Sequence, residues 1–209
     1  PTEVSDNIPS HLHQTFWCTE QSIKFIDKNH RENQPWMLSV NPFDPHPPFD
    51  PPYEYFKGYD SEAMPGAHFE LHDLEHQQKL ADANVDFQSK PQHPDLWDHK
   101  LIQAAYYAMI EQVDHEFGRL IDHLNATGKK DNTIIVFMSD HGEALCDHGL
   151  LLKGCRFLEG LTRVPLMVSW PKRYQQDIVS NALVELIDLV PTILDAAELE
   201  TPYWVQGRP

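Results

Sequence analysis

An apolar run that ends abruptly in polar residues constrains the fold of this chain more than any other feature. Residues 133–138 show no polar alternation, so we expect a strand that is covered on both faces of a sheet. Asp140 and His141 follow it, and Gly142 comes next. A carboxylate and an imidazole at the carboxyl end of a buried strand are typical of the ligand-binding edge of an α/β protein. The leading hypothesis is therefore a metal-dependent enzyme site.

Asp140 and His141 offer an oxygen and a nitrogen ligand, and Gly142 gives the backbone freedom to turn both toward one ion. Two ligands do not complete a divalent site. The weaker candidates nearby are Glu143, Asp147 and His148. The dipeptide alone favours a simpler interpretation, in which Asp140 caps a helix and the next two residues form a turn.

A longer string of motifs overturns that simpler interpretation. It reads, in order, Ser139-Asp140-His141-Gly142-Glu143, Asp147-His148-Gly149, Lys153-Gly154, Glu159-Gly160 and Arg163-Val164-Pro165. This string closely resembles the sulfatase family of the alkaline-phosphatase superfamily of metal-dependent esterases. Residues 41–48 resemble the family's histidine loop, residues 106–120 its long helix, and residues 186–192 the segment after the metal region. The resemblance covers most of the chain, from about Phe16 to the end.

The resemblance implies roles for five residues. Asp140 and His141 would bind the active-site cation, which is usually calcium in sulfatases, although many members carry Asn at the second position. A nitrogen ligand makes manganese or another transition metal more plausible. Lys153 would contact the sulfate oxygens, and His46 would assist the leaving group as a second catalytic residue. His148 would bind substrate or support a group that does. Positive charge and a proton donor suit a leaving oxygen that develops negative charge.

Two of these residues have simple alternatives when the resemblance is set aside. His46 lies in the stiff, proline-rich segment 44–48, where a catalytic mount and a surface excursion are equally good interpretations. Lys153 alone would be a solvated surface lysine.

The sulfatase nucleophile is a formylglycine made from the first residue of a Cys-or-Ser-x-Pro-x-Arg motif, which lies next to paired aspartates in the amino-terminal part of the family. None of the three cysteines begins such a motif. We therefore expect no nucleophile motif in this chain. We also expect residues 1–209 to be part of a single catalytic domain, without its nucleophile region and its carboxyl-terminal region.

Composition narrows the partners. Sixteen basic against thirty-two acidic residues give a formal charge of −16, which argues against nucleic acid. A sulfated glycan or small molecule would need a local cationic pocket. No apolar run is long enough to span a membrane. Three irregularly spaced cysteines predict free thiols, and neither Cys146 nor Cys155 has the setting of a nucleophile. The resemblance alone suggests a periplasmic or secreted location.

Hydrophobic periodicity predicts helices over residues 10–29 and 98–125, strands over 36–40 and 164–170, and a short helix that begins near Asp188. Residues 41–97 are expected to form a long irregular loop that governs substrate selectivity. The fold class is α/β, an alkaline-phosphatase-like, mostly parallel sheet with helices on both faces.

Three functions follow for testing. The first is a sulfatase, which is a sulfuric ester hydrolase with a divalent metal. The second is a phosphodiester or phosphonate monoester hydrolase of the same superfamily. The third is a non-catalytic sulfatase-like fragment, which the expected lack of a nucleophile favours and the chemically competent later motifs oppose.

Overall fold

The computed structural model describes residues 8–29, 34–84 and 90–209. Within them the α-helices are α1 (Gln14–Lys28), α2 (Tyr53–Phe56), α3 (Leu71–Asp82), α4 (His99–Ala126), α5 (Glu159–Thr162) and α6 (Leu189–Ala196). The strands are β1 (Ile135–Met138) and β2 (Leu166–Ser169). Short 3-10 turns lie at Ser10–Leu12, Ser61–Ala63, Pro94–Trp97, Lys130–Asn132, Asp147–Gly149 and Leu186–Asp188.

Helix α4 packs against α1, α2 and three of the 3-10 turns. Its bounds agree with the predicted helix, and the chain leaves it at Gly128, whose positive φ suits a helix end. The main apolar cluster joins α4 to two loops and contains Phe49, Ile102, Ala105, Met109 and Cys146. The segment after the histidine loop and the segment after β1 are thus fixed on one helix.

Helix α1 lies along α4 and is shorter than predicted. Ser10–Leu12 forms a separate 3-10 turn, because His13 takes an extended backbone and its side chain accepts the backbone N–H of Thr15. The Arg119 guanidinium of α4 forms ion pairs with Glu20 of α1 and with Glu116. These contacts hold α1 against α4.

The strand before the candidate site differs from the expectation. It begins at Ile135, is half-buried rather than covered on both faces, and pairs with β2 in antiparallel register, with Met138 opposite Leu166. In the described residues the sheet has these two strands, so a parallel neighbour is not among them. Much of β2 faces solvent as well. The apolar run predicted a strand correctly, but the neighbours that would bury it are not formed by this part of the chain.

Two other expectations need correction. Residues 36–40 alternate between half-buried and exposed as a strand would, but no strand pairs with them among the described residues. Residues 41–97 are not irregular throughout, since they contain α2 and the twelve-residue α3. Helix α3 lies in the proline-free stretch between Pro65 and Pro91. A capping box stabilises its first turn.

The last part of the chain contains α6, which begins at Leu189 directly after a 3-10 turn, close to the predicted start. None of the helices found in residues 8–29, 34–84 and 90–209 is long and apolar enough to cross a membrane. The division into domains and the periplasmic or secreted location stay predictions.

Candidate active site

The two proposed metal ligands lie side by side at the end of β1. The Asp140 Oδ2 atom is 3.8 Å from the His141 Nε2 atom, and both side chains are exposed. The backbone N–H of His141 donates to the other carboxylate oxygen of Asp140 at 3.0 Å. The His141 Nδ1 atom is 2.9 Å from the Gly142 carbonyl oxygen. Because a carbonyl only accepts, Nδ1 carries the proton and Nε2 keeps a free lone pair, which is the tautomer that binds a metal.

Position 142 requires glycine because there is no room for a side chain, and not because of backbone freedom. A Cβ atom at Gly142 would lie 1.8 Å from the carbonyl oxygen of Gly160. The backbone N–H of Gly142 also donates to the Leu161 carbonyl at 2.8 Å. The turn that carries Asp140 and His141, which we call the metal-ligand turn after their proposed roles, is therefore packed directly against the start of α5, and only glycine permits this approach.

Lys153 is held by a carboxylate and is not a free surface lysine. Its Nζ atom lies 2.9 Å from Oε2 of Glu143, and the side chains are only 17% and 4% exposed. Glu143 was expected as a weak metal candidate, but its carboxylate faces the ammonium group. Such a buried pair fixes both charges, because either charge alone would be costly to bury.

A pocket of about 280 Å³ opens beside this pair. It is lined by His68, Glu143, Ala144, Asp147, His148, Leu158, Glu159, Gly160 and Leu161. His148 thus lines a cavity, and its role toward substrate stays a prediction. Glu159 also pairs with Arg163 at 3.3 Å, and both of these side chains are exposed.

His46 lies on a separately anchored loop. Asp44 is buried and accepts the Thr15 hydroxyl at 2.7 Å, and the His13 Nδ1 atom is 3.4 Å from the same carboxylate. The His46 ring contacts the Phe43 ring in a tilted arrangement, with centroids 4.6 Å apart. Its Nδ1 atom is 2.7 Å from the Pro47 carbonyl, so Nδ1 donates to that oxygen, and the side chain is exposed.

The five predicted site residues thus fall into three groups. Asp140 and His141 are adjacent, His148 lines the pocket and Lys153 pairs with Glu143 of the same lining, and His46 stands on its own loop. In the described part of the chain no hydrogen bond or ion pair links His46 to the other four. Among the same residues no set of three or more His, Cys, Asp or Glu side chains could hold a metal ion.

The cysteines play no evident chemical part in this site. All three are free thiols, as predicted. Burial, with a smaller contribution from the charge of Asp147, raises the pKa of the Cys146 thiol to about 12. Cys146 is thus protonated at neutral pH, which is the opposite of what a nucleophile needs.

Comparison with known proteins decides the family. The sulfatase family profile matches residues 5–199 of this chain. The chain belongs to the sulfatase family. The match contains the metal-ligand turn, the pocket and the histidine loop.

Individual relatives agree with this assignment. An arylsulfatase of Clostridium perfringens is 34% identical over 203 residues, which are 94% of this chain and 40% of that protein. An N-acetylglucosamine-6-O-sulfatase of Bacteroides thetaiotaomicron is 38% identical over 112 residues, which are 53% of this chain and 20% of that protein. The chain thus spans about two fifths of the length of the arylsulfatase, and its match covers about one fifth of the second relative.

The fold agrees with the family as well. The structure of a phosphonate monoester hydrolase from Silicibacter pomeroyi superposes with a TM-score of 0.81 at 26% identity, covering 96% of this chain and 41% of that one. The expected alkaline-phosphatase-like α/β fold is therefore confirmed, and this sulfatase-family chain forms the part of it described above.

The expectation that the chain contains no nucleophile motif needs correction. Ser169-Trp170-Pro171-Lys172-Arg173 fits the Ser-x-Pro-x-Arg pattern. However, Ser169 pairs with Ile135 at the start of β1, about 10 Å of strand away from the end that leads to Asp140. Arg173 stacks on Trp170 and pairs with Glu198. The pentapeptide therefore lies at the wrong end of the sheet to serve the metal-ligand turn.

Sequence reasoning missed the partners of the predicted residues. The Lys153–Glu143 pair spans ten residues of a loop, and no periodic pattern marks it. His68 and Asp73, which surround His148, lie in a segment that was expected to be irregular. The Glu-x-x-Asp spacing of Glu70 and Asp73 was the available signal for the start of α3.

Proposed function

We propose that the complete protein hydrolyses sulfate esters at a divalent metal ion. The match of the sulfatase family to residues 5–199 is the observation that carries this proposal. The proposed substrate class is a sulfated glycan or a small sulfated molecule. An arylsulfatase and an N-acetylglucosamine-6-O-sulfatase among the relatives support this choice by their names.

Asp140 and His141 would hold the metal. Their donor atoms fit it, since a carboxylate oxygen and an imidazole nitrogen of the correct tautomer lie 3.8 Å apart. They fill only part of a coordination shell. When bound, a divalent ion supplies positive charge that stabilises the sulfate oxygens. The family resemblance favours calcium, and the nitrogen ligand leaves manganese as the alternative.

The remaining residues have roles that their surroundings support. Lys153 would supply a fixed positive charge to the sulfate group, because Glu143 holds its ammonium in place. His148 would contact substrate in the pocket that it lines. His46 would act as the imidazolium, which gives its Nε2 proton to the leaving oxygen and becomes the neutral ring, while its Nδ1 proton stays on the Pro47 carbonyl. The nucleophile would be a formylglycine outside this chain.

The experiment compares the complete, metal-loaded protein with its Asp140→Asn variant on 4-nitrophenyl sulfate and on glucosamine 6-sulfate. We expect release of sulfate by the unchanged protein and a loss of at least about 100-fold in the variant. No sulfate release from either compound, with a full complement of metal, would contradict the proposal.

A second candidate is a phosphonate monoester or phosphodiester hydrolase, because the phosphonate monoester hydrolase of Silicibacter pomeroyi has a closely similar fold. The same assay with phenyl phosphonate monoesters separates the two activities by their kcat/KM values. A protein that cleaves neither class of ester would agree with the third possibility, a non-catalytic member of the family.

Metal binding offers an independent test of the two-ligand interpretation. We expect this 209-residue chain by itself to bind calcium or manganese weakly, because residues 8–29, 34–84 and 90–209 add no third ligating side chain to the proposed ligands Asp140 and His141. Isothermal titration calorimetry measures this directly. A submicromolar site in the chain alone would mean that further ligands come from within it.

A further inference from the structure

His148 is held by a segment that lies far away in the sequence. Its backbone N–H donates to the His68 carbonyl at 2.8 Å, and its Nδ1 atom is 3.4 Å from Oδ1 of Asp73. The two imidazole rings of His68 and His148 meet edge to face, with centroids 5.3 Å apart. In return, the backbone N–H of His68 donates to Oδ1 of Asp147 at 2.7 Å. The substrate pocket is thus joined to the start of helix α3.

Contacts other than the one to His148 hold the Asp73 side chain in place. Its side chain is largely buried, and its second oxygen, Oδ2, accepts the backbone N–H of Glu70 at 2.8 Å. Burial alone would raise the pKa of Asp73, but the bonds from Glu70 and His148 outweigh it and hold this pKa below its usual value. Asp73 is therefore an ionised, immobile acceptor at neutral pH.

The backbone of His148 is held in an unfavourable conformation. Its φ is +53°, in the left-handed region, which is unfavourable for a residue with a side chain. The next residue, Gly149, is closely surrounded, since an added Cβ would lie 2.9 Å from the Gln92 carbonyl oxygen. Such a conformation persists only where several contacts fix it.

We propose that Asp73 is a positioning residue that holds His148 with its proton on Nδ1, so that Nε2 is the nitrogen presented to the pocket. An ionised carboxylate accepts only, so the bond at Nδ1 assigns the tautomer. The arrangement is that of a carboxylate that orients a functional imidazole through its far nitrogen. This inference rests on the proposed function for the role of His148, but the tautomer itself does not depend on it.

Nuclear magnetic resonance of the imidazole nitrogens tests the proposal on the complete protein. His148→Gln identifies the His148 signals by their loss. We expect the unchanged protein, at a pH where His148 is neutral, to carry the proton on Nδ1. In Asp73→Asn we expect a mixture of both tautomers, because an amide can either accept or donate.

The chain offers a close control for the loss of the cap. Asp188 closes a capping box with Glu185, accepting its backbone N–H at 3.1 Å, and its other oxygen accepts the Arg208 N–H at 3.0 Å. Asp188→Asn thus removes the same kind of charge without touching a histidine. We expect it to leave the His148 tautomer unchanged.

Kinetics add a second readout. On 4-nitrophenyl sulfate we expect Asp73→Asn to lower kcat by about 10- to 100-fold with KM changed less than about 3-fold, and Asp188→Asn to change neither to that extent.

A proton on Nε2 in the unchanged protein would overturn the inference, as would an unaltered tautomer in a folded Asp73→Asn variant. If Asp73→Asn does not fold, the tautomer of the unchanged protein still decides. A protein without ester hydrolysis but with the expected tautomers would refute the proposed function alone.

Discussion

The metal-ligand turn and the Lys153–Glu143 pair lie close in the sequence but are built in opposite ways. The Asp140 and His141 side chains are 79% and 45% exposed, whereas those of Lys153 and Glu143 are 17% and 4% exposed. An exposed charge is still solvated by water when its partner is removed, whereas a buried charge is left without either partner or water. The first group can therefore be changed with little effect on folding, while the second couples function to folding.

The largest expected effect is on activity, at the exposed group. Asp140→Ala in the complete protein should lower kcat/KM for a sulfate ester by about 1,000-fold or more, because the proposed metal ligand is lost. Its melting temperature without added metal should stay within about 2 °C of the unchanged protein, because the side chain is exposed and no ion pair in the interior is broken. Steady-state kinetics and calorimetry with chelator check both parts. A large fall in melting temperature would remove the contrast between the two groups.

Substitution in the buried Lys153–Glu143 pair should lower both the stability and the activity of the protein. Lys153→Met leaves the Glu143 carboxylate buried without its partner, and we expect a loss of about 3 kcal/mol in the free energy of unfolding together with a loss of activity. Chemical denaturation measures the first quantity. The matched control is Lys79→Met, because Lys79 pairs with Glu75 in an exposed contact on α3 and should cost less than about 1 kcal/mol. Equal losses in the two variants would mean that burial does not strengthen the dependence on Lys153.

The contrast also explains what the sequence could predict. The strand and the adjacent pair Asp140–His141 are local features, and the pattern of apolar residues followed by ligand types identifies them. The resemblance to the sulfatase motif singled out Lys153 and His148 as candidates, and their roles stay predictions. The partners of those two residues depend on how loops fold back, which no short-range pattern contains.

The extent of burial was equally out of reach. The run 133–138 is uniformly apolar, which predicts a covered strand, but burial depends on neighbours that the run cannot specify. Gly142 shows the same limit at one residue. Its sequence neighbours indicate a turn, but the need for glycine comes from the Gly160 carbonyl, which approaches from another element.

Gly142 allows an intermediate test, since it links the exposed turn to α5. Gly142→Ala would place a Cβ 1.8 Å from the Gly160 carbonyl oxygen, so the backbone must shift, and we expect a loss of about 2 kcal/mol in unfolding free energy. Activity should also fall, because Asp140 and His141 move with the turn. Gly160→Ala is the control at the other side of the contact, where the nearest atom, the Glu143 carbonyl oxygen, lies 3.7 Å away. Comparable losses in both variants would show that the approach is not what selects glycine at position 142.

The smallest effect is expected at Arg163. Its substitution tests whether the loss of stability on removing a cation depends on burial of its acidic partner or on the partner's place in the pocket. Arg163 pairs with Glu159 at 3.3 Å, but the two side chains are 81% and 77% exposed. Glu159 lines the same pocket as Glu143, so the two acidic residues differ mainly in burial. Arg163→Met should therefore change the unfolding free energy by less than about 0.5 kcal/mol, since an exposed pair is screened by water and salt. Denaturation at low and at high salt measures this. A loss close to that of Lys153→Met would mean that the pocket, and not burial of the carboxylate, makes its cations necessary for folding.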